Sequence, residues 1–293
     1  MTKLKFVHRF DADYGNAVAL SPMLRRLTCN NPSAFTFRGT NSFIVGRGVV
    51  AIVDPGPDDE RHLAALLFAV RGETVSHVII THSHMDHSPL AAKLKAATGA
   101  KSCAANLKGE TGPAIRLDAS VDHDFVPDMV LSDGDVIAGR GWTLECVFTP
   151  GHLGNHMAYC LREEKALLAG DHVMAWATTV VAPPDGHMGD YMASLQKLLK
   201  RNDEVYYPAH GPERHKPMGL VRGILAHRKM REEAIYERVR LGDRSVAEIV
   251  GRIYADVDPA LHVAAGLSTL AHLQHLIELG RIELRDGDYR LLK

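Results

Sequence analysis

The segment His82-Ser83-His84-Met85-Asp86-His87 constrains this chain more than any other feature, because it sets four metal-competent side chains close together. Directly before it, Val75–Thr81 is an apolar, β-branched run that reads as a buried strand. Side chains alternate faces along an extended chain, so His82 and His84 leave the strand end on one side and can grip one ion through imidazole nitrogens. Asp86 and His87, beyond the turn, can reach a neighbouring ion. Directly after it, Ser88-Pro89 fits a helix N-cap followed by proline at the first helical position, opening a helix that runs to Gly99. The histidine-rich segment therefore lies in a strand-to-helix loop.

Three later segments supply what the first lacks. Thr149-Pro150-Gly151-His152 ends a strand at a tight turn and delivers a third imidazole, and Leu168-Ala169-Gly170-Asp171 ends another with a carboxylate able to bridge two cations. Tyr207-Pro208-Ala209-His210-Gly211 repeats the pattern. Each alone is ordinary turn chemistry; with the first segment they form a metal constellation. His156 and His172 adjoin these motifs, as ring partners of the ligands or as packing. His62, His123, His187, His215, His262, His272 and His275 read as ordinary surface or helix residues.

Elsewhere, Ser42–Arg47 and Val49–Val53 read as two strands joined at Gly48, ended by Asp54-Pro55-Gly56-Pro57. Asp58 or Asp59 caps a helix carrying Leu63, Leu66, Leu67 and Val70 at helical spacing, closed by Gly72. Thr143–Phe148, Met157–Leu161, Ala166–Leu168 and Val205–Tyr207 are further strands, with a helix over Asp190–Arg201. The sum is an α/β layered domain over residues 1–217. From 218 to 293 the texture becomes helical and charged. Gly219–Arg240 forms a helix, Ser245-Val246-Ala247-Glu248 is a capping box opening a second, and Asp258-Pro259 starts a third. Arg281–Arg285 and Asp288–Leu292 flank Asp286-Gly287, the signature of a tight hairpin. Helices followed by a hairpin is the order of a winged-helix module.

Composition narrows the function classes. The 293 residues, 46% hydrophobic and 24% charged, suit a folded globular chain rather than a disordered one. A net charge of −1 provides no global positive field to gather nucleic acid. Met1–Gly15 holds no apolar stretch long enough for a signal peptide, and no later segment approaches bilayer length, so a cytoplasmic, non-membrane protein is expected. Cys29, Cys103, Cys146 and Cys160 form no CxxC pair and read as small buried or free thiols.

On these four segments, in this order, the chain resembles the metallo-β-lactamase superfamily. Asn31-Pro32-Ser33, Phe35-Thr36, Gly39-Thr40-Asn41, the run Thr179–Gly186 and the tail beginning His227-Arg228 look like the beta-lactamase-like protein two group, which carries the same winged-helix-like tail. The resemblance implies an αββα sandwich with two metals at the edge between its sheets. It implies that His82, His84 and His152 hold the first metal, that Asp86, His87 and His210 hold the second, and that Asp171 bridges. Leu153 departs from the threonine that often follows the third-ligand histidine.

Two metals serve hydrolysis without a covalent intermediate: water between divalent ions is acidified, and the ions neutralise charge developing on the substrate oxygen. Asp86 either ligates only or also carries a proton. The donor set favours two Zn²⁺, with iron or manganese also compatible. The leading expectation is a dinuclear zinc hydrolase using a metal-bridging hydroxide on a small ester, thioester or amide-like substrate. A glyoxalase-II-like thioesterase shares the motif set and a helical tail, whereas a persulfide dioxygenase would leave Asp86, His87 and His210 without a purpose. The rivals are a single-strand endoribonuclease and a winged-helix nucleic-acid-binding regulator. Arg222, Arg228, Lys229, Arg231, Arg238 and Arg240 lie on the first tail helix, interleaved with Glu232, Glu233 and Glu237 as on a solvated face, so the tail reads as a wall of the substrate cleft. Thr179–Gly186 forms the opposite rim. The sequence carries no mark of oligomeric state.

Overall fold

The computed structural model describes residues 4–106, 121–256 and 262–292. Its first sheet runs in chain order through β1 (Val18–Ala19), β2 (Leu24–Thr28), β3 (Asn41–Arg47), β4 (Val49–Val53), β5 (Thr74–Ile79), β6 (Lys101–Ala105) and β7 (Met129–Leu131). Strands β1 to β4 pair antiparallel, and β4 to β7 pair parallel. Parallel neighbours need a crossover, and α1 (Glu60–Ala69) and α2 (Leu90–Thr98) supply the first two. Asp59 caps α1 as expected, accepting hydrogen bonds from the Arg61 and His62 amides. The cap expected at Ser88 is a correction: Pro89 occupies the cap position of α2, and the Ser88 hydroxyl instead donates to Asp122 at 2.7 Å. Gly99 ends α2 in the left-handed region, as its position predicts.

The second sheet, also in chain order, holds β8 (Val136–Gly139), β9 (Trp142–Phe148), β10 (Met157–Leu161), β11 (Ala166–Gly170), β12 (Val205–Pro208) and β13 (Arg214–His215). Only β11 and β12 pair parallel, and α3 (Met188–Leu198) lies between them in the chain.

Strict alternation along the strands sorts side chains into layers. Phe43, Val45, Ala51, Val53 and Ile79 face inward against Leu144, Cys146, Met157, Tyr159 and Leu161 of the second sheet. Ile44, Val50, Ile52 and Val78 face outward onto Leu66 of α1 and Leu94 of α2. Val147, Ala158, Cys160 and Leu167 face the other way onto Tyr191, Leu195 and Leu198 of α3. Strands covered on both faces read as near-continuous apolar runs. The result is the αββα sandwich. Trp142 locks the sheets together, its indole donating to the Val49 carbonyl at 2.8 Å.

The remaining elements are α4 (Met218–Arg240), α5 (Val246–Ile253), α6 (His262–Glu278), β14 (Ile282–Arg285) and β15 (Asp288–Leu291). The capping box of Ser245 and Glu248 is formed. The hairpin turns at Asp286-Gly287, both at positive φ, as a tight two-residue connection requires. The helix start expected at Asp258-Pro259 lies outside the described residues. Helix α4 is a spine: Leu220, Val221, Ile224 and Leu225 join the α3 layer, while Ile235 and Val239 join Ile249, Leu273, Leu276 and Tyr289 in a separate core. Among the described residues no helix is long and apolar enough to cross a membrane.

The Trp142 contact gives a steric test. A Cβ at Gly139 would sit 2.2 Å from the buried indole. Gly139→Ala should therefore cost about 1–3 kcal/mol, the range for forcing a methyl group into a packed core. The urea midpoint should fall at unchanged slope; an unchanged midpoint would show that the indole yields freely.

Candidate metal centre

Every candidate ligand leaves the carboxyl end of a strand. His82, His84, Asp86 and His87 follow β5 of the first sheet, while His152, Asp171 and His210 follow β9, β11 and β12 of the second. The site therefore spans the gap between the sheets along one edge, and main-chain stitches hold that gap. The Met157 amide donates to the Thr81 carbonyl at 2.8 Å, and the Tyr159 hydroxyl to the Ile80 carbonyl at 2.8 Å. Asn41, at the start of β3, donates from its side chain to the Pro208 and Gly211 carbonyls on either side of His210, at 3.0 and 2.9 Å. Gly151 is required where it stands: at φ +133 its Cβ would lie 2.3 Å from the Tyr191 backbone, so only glycine lets α3 abut the His152 turn.

The structure brings all of the sequence-predicted site residues together, in two groups: His82, His84, His152 and Asp171, and Asp86, His87 and His210. Within each group, ligand atoms lie within 4.8 Å of one another. His84 Nδ1 sits 2.9 Å from His82 Nε2 and 3.2 Å from His152 Nε2. The far nitrogens of three rings are tied to groups that can only accept. His152 Nδ1 donates to the Val180 carbonyl at 2.7 Å, His210 Nδ1 to the Gly39 carbonyl at 3.2 Å, and His87 Nδ1 to the Asp54 carboxylate at 3.0 Å. Those bonds place a proton on Nδ1 and leave Nε2 of each ring turned to the centre. His87 Nε2 and Asp171 Oδ1 are buried and make no hydrogen bond in the described protein. Convergent imidazole nitrogens and orphaned buried acceptors are the donor chemistry of a metal site.

Electrostatics separate the two groups. Burial pushes His84 down to about 3, with His152 adding to the effect, and burial likewise lowers His82 and His152. These rings are neutral, the form that binds metal. Burial also disfavours charge on His210, but the Asp171 and Asp86 carboxylates outweigh it and lift His210 to about 10. The same negative field that holds a proton there attracts a cation.

Two residues beyond the candidate ligands are now legible. Asp54, which the sequence presents only as a turn residue, is buried and takes three hydrogen bonds, from the Thr81 amide and hydroxyl and from His87. Its φ of +49 is the one local signal that the turn carries more than a reversal. His156 orients the bridge candidate: its Nε2 accepts from the Asp171 amide at 3.0 Å, and its Nδ1 pairs with Thr149 at 2.9 Å. The His172 ring makes no hydrogen bond among the described residues and packs on Tyr191 at 4.7 Å. Two of the histidines expected to be ordinary surface or helix residues lie on helices, α1 and α6, but are buried and partnered. His62 is buried and bonded to Ser42 at 2.8 Å, and His272 is buried beside Glu232 at 3.2 Å.

The sequence pattern of the metallo-beta-lactamase superfamily matches residues 35–210, which takes in every candidate ligand. The chain belongs to the metallo-β-lactamase superfamily. The pattern of the beta-lactamase associated winged helix domain matches residues 245–289, from the α5 cap to the hairpin. The beta-lactamase-like protein 2 homolog of Caenorhabditis elegans is 31% identical over 270 residues, covering 90% of this chain and 87% of that protein. The atrochrysone carboxyl ACP thioesterase of Cryptosporiopsis sp. (strain 8999) is 31% identical over 237 residues, 78% of this chain and 67% of that one. A metallo-beta-lactamase family protein from Thermus thermophilus has the same fold, with a TM-score of 0.75 at 23% identity over 93% of this chain and 100% of that one. The protein is thus a metal-binding hydrolase of this superfamily with a winged-helix domain.

Asp54 offers a direct test of how the centre is held. Asp54→Asn keeps the shape but can turn a donor toward His87 Nδ1, freeing that ring to rotate. Zinc affinity of the metal-stripped protein should fall by about 10- to 100-fold, as for other outer partners of metal-bound histidine. Equal affinity in the two proteins, measured by calorimetric titration, would dismiss Asp54 as an orienting group.

Proposed function

We propose that the chain is a dinuclear zinc hydrolase acting on a small ester, thioester or amide-like substrate. One observation carries the reading: the Asp171 carboxylate is within reach of both donor groups. Oδ2 lies 3.5 Å from His152 Nε2 and 4.0 Å from His82 Nε2 on one side and 3.8 Å from His87 Nε2 on the other, and Oδ1 lies 3.3 Å from His210 Nε2. His82, His84 and His152 would hold one ion, Asp86, His87 and His210 the other, and Asp171 both. Imidazole and carboxylate donors without thiolate suit Zn²⁺, with iron and manganese as the alternatives the same donors accept. Bound there, two divalent ions supply a nucleophile by acidifying water and polarise the substrate oxygen.

The chain's own residues do the rest. Asp86 and His152 are the half-buried members of the constellation, so substrate reaches the centre on their side. Asp86 Oδ2, 3.2 Å from His210 Nε2 and with 19% of its side chain exposed, could take a proton from the attacking water and return it to a leaving group as well as ligate. Phe37 stacks on Trp176 at 4.8 Å, and both lie against the His210 turn, where a Cβ at Gly211 would come within 2.7 Å of the indole. This pair gives the cleft an apolar flank suited to an acyl chain, and a relative named as an acyl-carrier thioesterase supports a thioester. The four cysteines are free and buried, in keeping with the cytoplasm, where we place the protein. Four of the six α4 cations are engaged within the protein, leaving Arg222 and Lys229 exposed: Arg228 is buried, Arg231 lies over the Tyr254 ring at 4.2 Å, and Arg238 and Arg240 pair with Asp243 and Glu237. That arrangement favours a small substrate over single-stranded RNA.

Protein purified without chelator should carry close to two metal equivalents by elemental analysis and hydrolyse thioesters in a panel with lactones, β-lactams and single-stranded RNA. A firm single equivalent, unchanged by added zinc, would refute the dinuclear reading, and cleavage of RNA alone would refute the small-substrate one. Asp171→Ala should lose metal together with more than about 100-fold in kcat/KM, beyond what outer partners of a metal site supply.

A further inference from the structure

The carboxyl-terminal helices reach the metal centre through one buried cation. Arg228 on α4 is 4% exposed. Its guanidinium lies 5.3 Å from the Tyr191 ring centre, and Nη2 donates to the Thr179 carbonyl. From there two consecutive residues face the site. The Thr179 hydroxyl donates to the Asp171 carbonyl at 2.6 Å, and the Val180 carbonyl accepts from His152 Nδ1 at 2.7 Å. Tyr191, under the guanidinium, donates its hydroxyl to the His172 carbonyl at 2.9 Å.

We infer that Arg228 is a positioning residue of the metal centre: by fixing the Thr179–Val180 backbone it makes His152 present Nε2, and Asp171 its carboxylate, in one orientation. The inference rests on the assignment of His152 and Asp171 as ligands proposed above. The Thr179 carbonyl is one end of the peptide unit whose other end begins Val180. Left without its donor in a buried place, that carbonyl turns toward another partner and rotates the unit. The Val180 carbonyl then swings off His152 Nδ1, and the ring loses the bond that sets its tautomer and aim.

The position of Arg228 is in turn set by the winged-helix side of α4. One turn further along, Glu232 is held by His272 and His275 of α6 at 3.2 and 2.7 Å. The tail thereby acts on the metal without providing a ligand.

Arg228→Lys keeps a cation on a long stem but loses the planar fork that spans carbonyl and ring. Arg228→Leu removes the donor outright, and if it fails to fold the lysine variant still decides. Zinc affinity is read by competition with a chromophoric chelator, and ligand geometry from the visible band of the cobalt(II)-substituted protein. The expected result is zinc binding weakened by about tenfold, at the low end of the range for lost outer partners, with a shifted cobalt band and kcat falling more than KM changes. A folded Arg228→Lys with unchanged zinc affinity and an unchanged band overturns the inference, whatever its melting temperature. His152→Ala serves as reference: unchanged zinc affinity there would instead overturn the ligand assignment.

Discussion

The structure depends on holding seven metal-competent side chains against one another in a place that water barely reaches. Left to themselves, His82, His84 and His152 would each prefer bulk solvent, because burial disfavours their charged forms and crowding disfavours two protons side by side. The protein overcomes this by tying the outward nitrogen of a ring to a group that cannot donate: a carbonyl for His152 and His210, a carboxylate for His87. Once those bonds are made, the rings have no tautomeric freedom. Such anchors are reliable only if the backbone that carries them is rigid. Strand ends from two sheets, closed over the Trp142 indole and stitched by Asn41, provide that rigidity.

Much of this is legible in the sequence, and the exceptions have physical causes. Strands β3, β4, β9 and β10 announce themselves because both faces are covered, so their residues are largely apolar. Strand β2 is hidden in the sequence because Arg25 and Arg26 interrupt it. In the fold the first pairs with Glu73 and the second lies buried over Phe10. Strand β6 is hidden because Lys101–Ala105 is built of small residues whose strand character comes from its neighbours rather than from propensity. The short β7, β8 and β13 are sheet margins with too few residues to show a period. In the site the candidate ligands can be named because metal chemistry limits residue type. Asp54 cannot, since an aspartate before Pro-Gly looks the same whether it closes a turn or holds a ring. His62 and His272 show the converse: one histidine on a helix face says nothing of whether its partner is water, Ser42 or Glu232.

The winged-helix domain changes meaning once α4 is seen whole. In the sequence its basic residues, interleaved with Glu232, Glu233 and Glu237, read as a solvated face, yet charge counts cannot tell a cation that faces solvent from one that faces a carbonyl. The amino-terminal half of α4 is part of the outer layer over α3, so this helix is built into the hydrolase as much as into the tail. The superfamily and winged-helix patterns end and begin on either side of it, at 210 and 245. A helix that belongs to two cores transmits position between them, since neither core can shift it without repacking the other.

The loop proposed as the substrate rim and the residues proposed to hold the metals are consequently parts of one object. Residues after Asp171 first stack Trp176 on Phe37, then at Thr179 and Val180 bond to Asp171 and His152, and then at Gly186 and His187 turn into α3, where the His187 amide donates to the Gly151 carbonyl at 2.8 Å. His187 is also joined to Glu278 of α6 at 2.8 Å, so the far end of the same loop is held by the tail. A shift of this loop is therefore carried through Val180 to His152, one of the half-buried members of the centre.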